Sequence, residues 1–246
     1  MSAYTALARY YDDLTPDVPY ERFADFYEEV FAMMGAKVRT VADLACGTGT
    51  LTRILARRGY DVIGVDASED MLSVAMDKLQ DLDPMPLLVC QRLEELDLYG
   101  TVDAAVCALD GMNYLPPDAL MTAFRRIRLF LEPGGVLVFD VNTPRKLRWM
   151  DGQVFLDENE DVFCVWRAEF DERENACRYG IDLFARRGKL WERQREEHVE
   201  YAHEPDWLAR QLAEAGFVDV RLFGELKPQP PEEDAMRVFL AARKPE

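Results

Sequence analysis

Val41-Ala42-Asp43-Leu44-Ala45-Cys46-Gly47-Thr48-Gly49-Thr50 reads as an apolar strand running into a Gly-x-Gly turn, with a helix opening at or near Leu51. The first glycine lets the chain reverse, and the second removes a Cβ that would hold a ligand away from the backbone. A dinucleotide fingerprint needs a third glycine three residues on, where helix and strand pack closely. That position is Thr52, which counts against a pyrophosphate-binding turn. What the stretch keeps is a backbone cradle preceded by an acid, Asp43. A carboxylate there suits a ligand carrying an ammonium group better than one carrying phosphates.

Nineteen residues beyond Gly47, the run Asp61-Val62-Ile63-Gly64-Val65-Asp66 reads as a second short strand ending in a carboxylate. In a doubly wound sheet an acid at the end of the strand beside the glycine turn holds a ribose diol. The pair therefore points to a nucleoside ligand. Asp43–Thr50 together with Gly64-Val65-Asp66-Ala67-Ser68-Glu69-Asp70-Met71-Leu72 resemble the class I S-adenosylmethionine-dependent methyltransferases, and the resemblance spans most of the chain. It extends to a bacterial subgroup of small-molecule, sugar-amine-like and uncharacterised members. The resemblance implies S-adenosyl-L-methionine as cofactor, S-adenosyl-L-homocysteine as product, and no metal.

The length of 246 residues is enough to bury a full core as one large domain with a cap. Apolar residues make up 49% and aromatics 11%, which marks a globular chain rather than a disordered one. Acids outnumber bases 46 to 29, for a formal charge of −17, and such a balance repels polyanions. RNA and DNA are disfavoured as partners on that ground. The five cysteines show neither a CxxC pair nor metal-ligand spacing with the two histidines, and an odd count without a framework fits a reducing cytoplasm. The N-terminus lacks a basic region followed by an apolar core, and no apolar run approaches the ~20 residues of a membrane span.

Along the chain, residues 4–34 read as two helices broken at Thr15-Pro16-Asp17-Val18-Pro19. Strands at 39–44, 61–66, 86–91, 102–107 and 136–141 alternate with helices at 50–58, 68–82 and 117–131, the rhythm of a parallel doubly wound sheet. Between the fifth strand and a helix at 205–215 the rhythm changes to three alternating runs, 162–170, 177–184 and 190–201. The expected fold class is thus α/β, a Rossmann-like, seven-stranded, mostly parallel sheet with an inserted antiparallel sheet. The expected organisation is an N-terminal helical lid at 1–36, a cofactor-binding domain at 37–150 and 204–246, and a β cap at 151–203. In the resembling enzymes such a cap lies over the acceptor pocket and sometimes at a homodimer interface.

The resemblance implies that Asp43, Ala45, Cys46, Gly47, Gly49, Asp66, Ala67, Met71, Gln91, Arg92, Leu93, Leu109 and Tyr20 hold the cofactor. The turn after the third strand departs from the subgroup, which reads Gln-Asp-Met where this chain has Gln91-Arg92-Leu93. Arginine cannot accept a hydrogen bond. The adenine is therefore served by Gln91, Glu94 or a backbone carbonyl, or Arg92 stacks on it. Asn113, Tyr114, Glu196 and Asn142 are the candidates for the acceptor pocket. In Arg193-Gln194-Arg195-Glu196-Glu197-His198, alternation places Gln194, Glu196 and His198 on one face. A histidine poised near neutral pH there can take a proton from an amine or hydroxyl. His198 and Tyr11 are accordingly the candidate catalytic residues. Two other readings stand beside small-molecule N- or O-methylation: RNA methylation, and cofactor binding without catalysis.

Overall fold

The computed structural model describes Tyr4 and residues 7–246. Residues 1–3, 5 and 6 of the expected N-terminal lid lie outside the described residues. Helices α1 (Tyr11–Leu14) and α2 (Tyr20–Met33) precede β1 (Thr40–Leu44), α3 (Thr50–Arg57), β2 (Asp61–Asp66), α4 (Glu69–Leu79) and β3 (Leu87–Cys90). Then follow β4 (Val102–Cys107), α5 (Pro117–Phe130), β5 (Leu131–Asn142), α6 (Pro144–Trp149) and the strands β6 (Val154–Glu158), β7 (Val162–Asp171), β8 (Ala176–Arg187) and β9 (Leu190–Tyr201). The chain closes with α7 (Pro205–Glu214), β10 (Val218–Phe223) and β11 (Arg237–Arg243).

The large sheet has the order β10-β11-β5-β4-β1-β2-β3. β11 runs antiparallel to both its neighbours, and the other pairings are parallel. From β1 the chain moves outward through β2 and β3, then returns to the other side of β1 for β4 and β5. The order therefore reverses between β1 and β4, and a crevice opens at the carboxyl ends of those strands.

Alternation along the buried strands builds a core on each face of the sheet. β5 sends Leu137, Phe139 and Val141 to the layer of α5 and α7, where Phe124, Ile127, Leu208 and Leu212 pack. Val136 and Val138 face the opposite layer with Phe23, Phe26, Tyr27 and Val30 of α2. The phenylalanine stripe of α2 is core: Phe26 meets Phe239 edge-on at 4.7 Å between ring centroids. α4 opens with Ser68 as its N-cap, the hydroxyl accepting from the Met71 N–H at 3.2 Å.

The inserted sheet is antiparallel, with the order β6-β7-β8-β9, and so has one strand more than the sequence periodicity suggests. β6 escapes notice because it is a short edge strand flanked by Gly152 and by the acidic run Asp157–Asp161, and its Val154 and Leu156 are exposed. α6, capped by the Thr143 hydroxyl on the Lys146 N–H, was also not expected. β5 begins at Leu131 rather than at the expected 136, and Glu132-Pro133-Gly134-Gly135 form an irregularity within it, where the register to β4 shifts between Val102 and Ala104. Among the described residues, no helix is long and apolar enough to cross a membrane.

Candidate active site

A cavity of about 480 Å³ opens at the carboxyl ends of β1 to β4, within the ~300–1,000 Å³ usual for small-molecule sites. Its walls are the turns following each strand, with Ala45–Thr48 after β1, Asp66–Ser68 after β2, Gln91–Glu94 after β3 and Ala108–Leu109 after β4. Two non-glycine wall residues, Ala45 (φ 53°) and Leu109 (φ 54°), and the adjacent Asp110 (φ 57°) hold left-handed backbone. Each costs roughly 1–2 kcal/mol, and such strain collects where backbone must face a ligand. No residue pattern announces it.

The two glycines of the opening turn do different work. Gly47 has φ +54°, and a Cβ built on it would meet nothing within 4 Å, so it borders open cavity. Gly49 has φ +74°, and its Cβ would lie 3.0 Å from Ala75 Cβ. Gly49, one of the expected cofactor contacts, lets the turn pack on α4 and does not line the cavity. A third glycine, Gly111, lies in the turn after β4. A Cβ there would strike Cys107 Sγ at 2.7 Å and Ala45 Cβ at 2.9 Å, so it keeps the β1 and β4 turns in contact.

Asp66 stands in the cavity wall as expected. Its Oδ2 accepts the Gly47 N–H and its Oδ1 the Ser68 N–H, each at 2.8 Å. Burial raises its pKa, and the backbone donors oppose that rise. Asp43 is 2% exposed, and the Thr52 hydroxyl donates to its Oδ2 at 2.6 Å. The threonine standing in place of a third glycine thus holds the acid of the cradle. Burial pushes Asp43 up to about 7. Ala67, Met71, Leu93 and Cys46 complete this side of the wall.

The roof comes from the N-terminal segment, whose Tyr4, Tyr11 and Tyr20 all line the cavity. Two latches hold it down. Asp12 accepts from Thr48 Oγ1 at 2.6 Å and pairs with Lys78 Nζ at 2.6 Å, tying the segment to the glycine turn and α4. On the other side Glu196 accepts the N–H of Tyr4 at 2.9 Å and of Leu7 at 3.1 Å. Asp12→Ala is expected to weaken cofactor affinity about three- to tenfold, measured by calorimetry, because a half-exposed ion pair is worth about 1 kcal/mol.

His198 is 1% exposed and does not border the cavity. Its Nε2 lies 3.0 Å from Glu196 Oε2 and its Nδ1 lies 3.3 Å from the Tyr114 hydroxyl. Tyr114 is in the wall, and its hydroxyl is 2.6 Å from that of Tyr4. Nε2 faces a carboxylate, which only accepts, so it carries the proton and donates, and Nδ1 accepts from Tyr114. Burial drives the Tyr114 pKa well above its ordinary value, so the phenol is neutral. The candidate base is thus one hydroxyl removed from the cavity.

Three of the expected acceptor-pocket residues have their polar atoms engaged within the protein. Asn113 donates to the carbonyls of Asn142 and Tyr201 and accepts from the Asn142 N–H, all at 3.0 Å. It clips β5 to the end of β9. Asn142 donates to Glu200 Oε2 and accepts from Lys146 Nζ, both at 2.8 Å. Glu196 is the latch and histidine partner just described. Short polar side chains at strand ends read alike whether they face a ligand or bracket backbone, and only the fold separates the two.

Beneath the β4 turn, Arg237 joins two acids. Nη2 meets Asp110 Oδ1 at 2.7 Å and Nη1 meets Asp140 Oδ2. Asp140 is fully buried and pushed up to about 6 by that burial, with Arg237 opposing. Among the described residues, no group of three or more His, Cys, Asp or Glu is arranged to hold a metal ion.

Comparison with known proteins agrees with this geometry. Residues 41–135 match a family described as "Methyltransferase domain". The chain is 29% identical over 243 residues to "Putative methyltransferase YqeM" of Bacillus subtilis, covering 98% of this chain and 97% of that one. A crystal structure of an S-adenosylmethionine-dependent methyltransferase from Clostridium acetobutylicum superposes over 100% of both chains, with TM-score 0.86 and 28% identity. The sugar N-methyltransferase KedS8 from a Streptoalloteichus species shares the fold, with TM-score 0.79 and 22% identity over 93% of this chain and 89% of that one.

Proposed function

Because the chain belongs to the class I S-adenosylmethionine-dependent methyltransferases, we propose that it transfers the methyl group to a nitrogen or oxygen of a small-molecule acceptor. One observation carries the acceptor atom: the Tyr114 hydroxyl in the cavity wall, backed by His198 and Glu196. Nitrogen and oxygen acceptors shed a proton when methylated, and this chain of groups is built to receive one. The cavity volume of about 480 Å³ and the charge of −17 support a compact acceptor over a polyanion. The sugar N-methyltransferase activity in the name of KedS8 supports the same class.

The residues fit the cofactor. The open space at Gly47 admits a ligand against backbone, Asp66 suits a ribose diol, and Asp43 suits an ammonium group. When bound, the cofactor supplies a methyl group already activated by a positive sulfur. The protein's part is then positioning and exclusion of water, which the tyrosine roof and its latches provide. Tyr114 Oη accepts the proton leaving the acceptor while passing its own to His198 Nδ1, and Glu196 pairs with the resulting imidazolium. Tyr11, also in the wall, orients the acceptor beside Tyr114.

Asp43 gives this reading a pH signature. An ammonium group favours the carboxylate form of an acid whose pKa in the free protein is about 7. Binding therefore releases a proton, and affinity for S-adenosylmethionine is expected to rise about tenfold from pH 6 to pH 8. Calorimetry of Asp43→Asn should show weaker binding without that slope.

The function itself is tested with methyl-labelled S-adenosylmethionine and cell extract, fractionated by size with and without ribonuclease. Label in small, ribonuclease-resistant material is the expected result and delivers the acceptor. Label in large material released by ribonuclease would replace this reading with RNA methylation.

A further inference from the structure

We propose that a second cavity, beside the one already described, holds the non-reacting part of the methyl acceptor, and that this part is apolar and positively charged. The proposal rests on methyl transfer in the first cavity and concerns which acceptor reaches it. The second cavity has a volume of about 370 Å³. Its walls are Leu14 at the end of α1, the turn Thr15–Pro19, Phe23 of α2, Glu225 after β10, Arg237 of β11, and Leu109. Leu109 lines the first cavity as well, and so stands at the boundary of the two. An acceptor that passes Leu109 sets its reacting atom in the cavity that Tyr114 lines and leaves its body in the second. The cap takes no part in this: among the described residues, none that lines the second cavity belongs to 151–203. Asn113, Asn142 and Glu196, the polar groups expected on the cap side, are engaged within the protein.

The lining decides the chemistry. Leu14, Val18, Pro19 and Phe23 give it an apolar wall, which suits a hydrocarbon chain or ring. Its charged residues are Arg237, Asp17 and Glu225. The arginine is already answered, since Nη1 and Nη2 pair with Asp140 and Asp110 and Nε lies 3.9 Å from Glu225. Asp17 and Glu225 are exposed and carry the charge that an entering molecule meets. The charges around the cavity therefore sum to a negative value, and the field of a chain with a formal charge of −17 adds to it. An ammonium group is drawn to that mouth, whereas a carboxylate or phosphate is repelled. The acceptor class is thus an amphipathic amine, with its charge between Asp17 and Glu225 and its reacting nitrogen or oxygen at the other end.

The test uses the small labelled product that the wild-type protein makes from methyl-labelled S-adenosylmethionine and cell extract. At pH 7 that product is expected to be retained by a cation exchanger and by a reverse-phase column. Leu14→Trp fills the second cavity, and at limiting extract it should cut formation of the product by roughly tenfold or more. Its affinity for S-adenosylhomocysteine, measured by calorimetry, should stay within about threefold of the wild type, which also shows that it folds. Asp17→Asn combined with Glu225→Gln removes only the charges and should lower labelling at limiting extract about three- to tenfold. A product that passes the cation exchanger, or a Leu14→Trp protein that labels as fast as the wild type, would overturn the proposal and leave methyl transfer standing. Should Leu14→Trp lose cofactor affinity as well, the charge variant decides, and unchanged labelling by it overturns the proposal. No label in small material with the wild type would overturn the methyl-transfer reading, and this proposal with it.

Discussion

Arg237→Ala is expected to lower the stability of the folded protein by about 3–5 kcal/mol near pH 8, a fall in Tm of roughly 6–20 °C. The arginine bridges Asp110 and Asp140 under the cavity floor, and Asp140 has no contact with solvent. Deleting the cation leaves a buried carboxylate whose Oδ1 already has no hydrogen-bond partner and whose Oδ2 keeps only the Asp110 N–H at 3.1 Å. The deficit should depend on pH in a definite direction. Asp140 binds its proton more tightly folded, at about 6, than unfolded, near 3.8. Its contribution to stability is therefore complete below about pH 4 and is lost as pH rises through 6. Without Arg237 that loss moves to higher pH, so at pH 5 the variant keeps Asp140 neutral and lies closer to the wild type. Urea denaturation at pH 5 and pH 8 measures both. Arg237→Lys should fall between, since one ammonium cannot face two carboxylates as a planar guanidinium does. An equal deficit at the two pH values would show that lost packing, rather than the uncovered charge, accounts for it.

How far the sequence reveals this molecule depends on what each residue's role requires. Glycine-turn geometry and strand periodicity are local, and they place Asp43, Gly47 and Asp66 at the mouth of the crevice without any tertiary knowledge. The same is true of the seven-stranded sheet, because buried parallel strands must be continuous apolar runs. Roles that depend on a distant partner are not local. Asn113 looks like a pocket residue until the end of β9 arrives 88 positions later to take its amide. Thr52 looks like a missing glycine until its hydroxyl is seen on Asp43. Tyr4 carries no signal at all, yet its ring and hydroxyl reach Tyr114 across 110 residues of chain. His198 was legible as a face of β9 facing inward, and what alternation cannot give is the tyrosine standing between it and the cavity.

That interposed hydroxyl makes the sharpest kinetic test. Tyr114→Phe is expected to reduce kcat by roughly 10²–10⁴-fold while S-adenosylhomocysteine affinity stays within about threefold, because the ring remains and only the proton-accepting oxygen goes. In the proposed mechanism the phenol, kept neutral by burial, works by exchange, giving its proton to His198 Nδ1 as it takes one from the acceptor. His198→Ala should lower kcat by a comparable factor, since without the imidazole the phenol has no group to which it can pass its proton. Because the two act in series, the double variant should be no slower than Tyr114→Phe alone. Additive losses would mean that His198 serves the reaction by another route, the Glu196 latch on the N-terminal segment being the one the structure offers. A variant that relaxes that latch would loosen the roof and raise the KM for the cofactor, whereas one that breaks the proton path would lower kcat at saturating cofactor. In the proposed mechanism the relay and the latch share Glu196, so the carboxylate that holds the N-terminal segment over the cavity is also the one that pairs with the imidazolium.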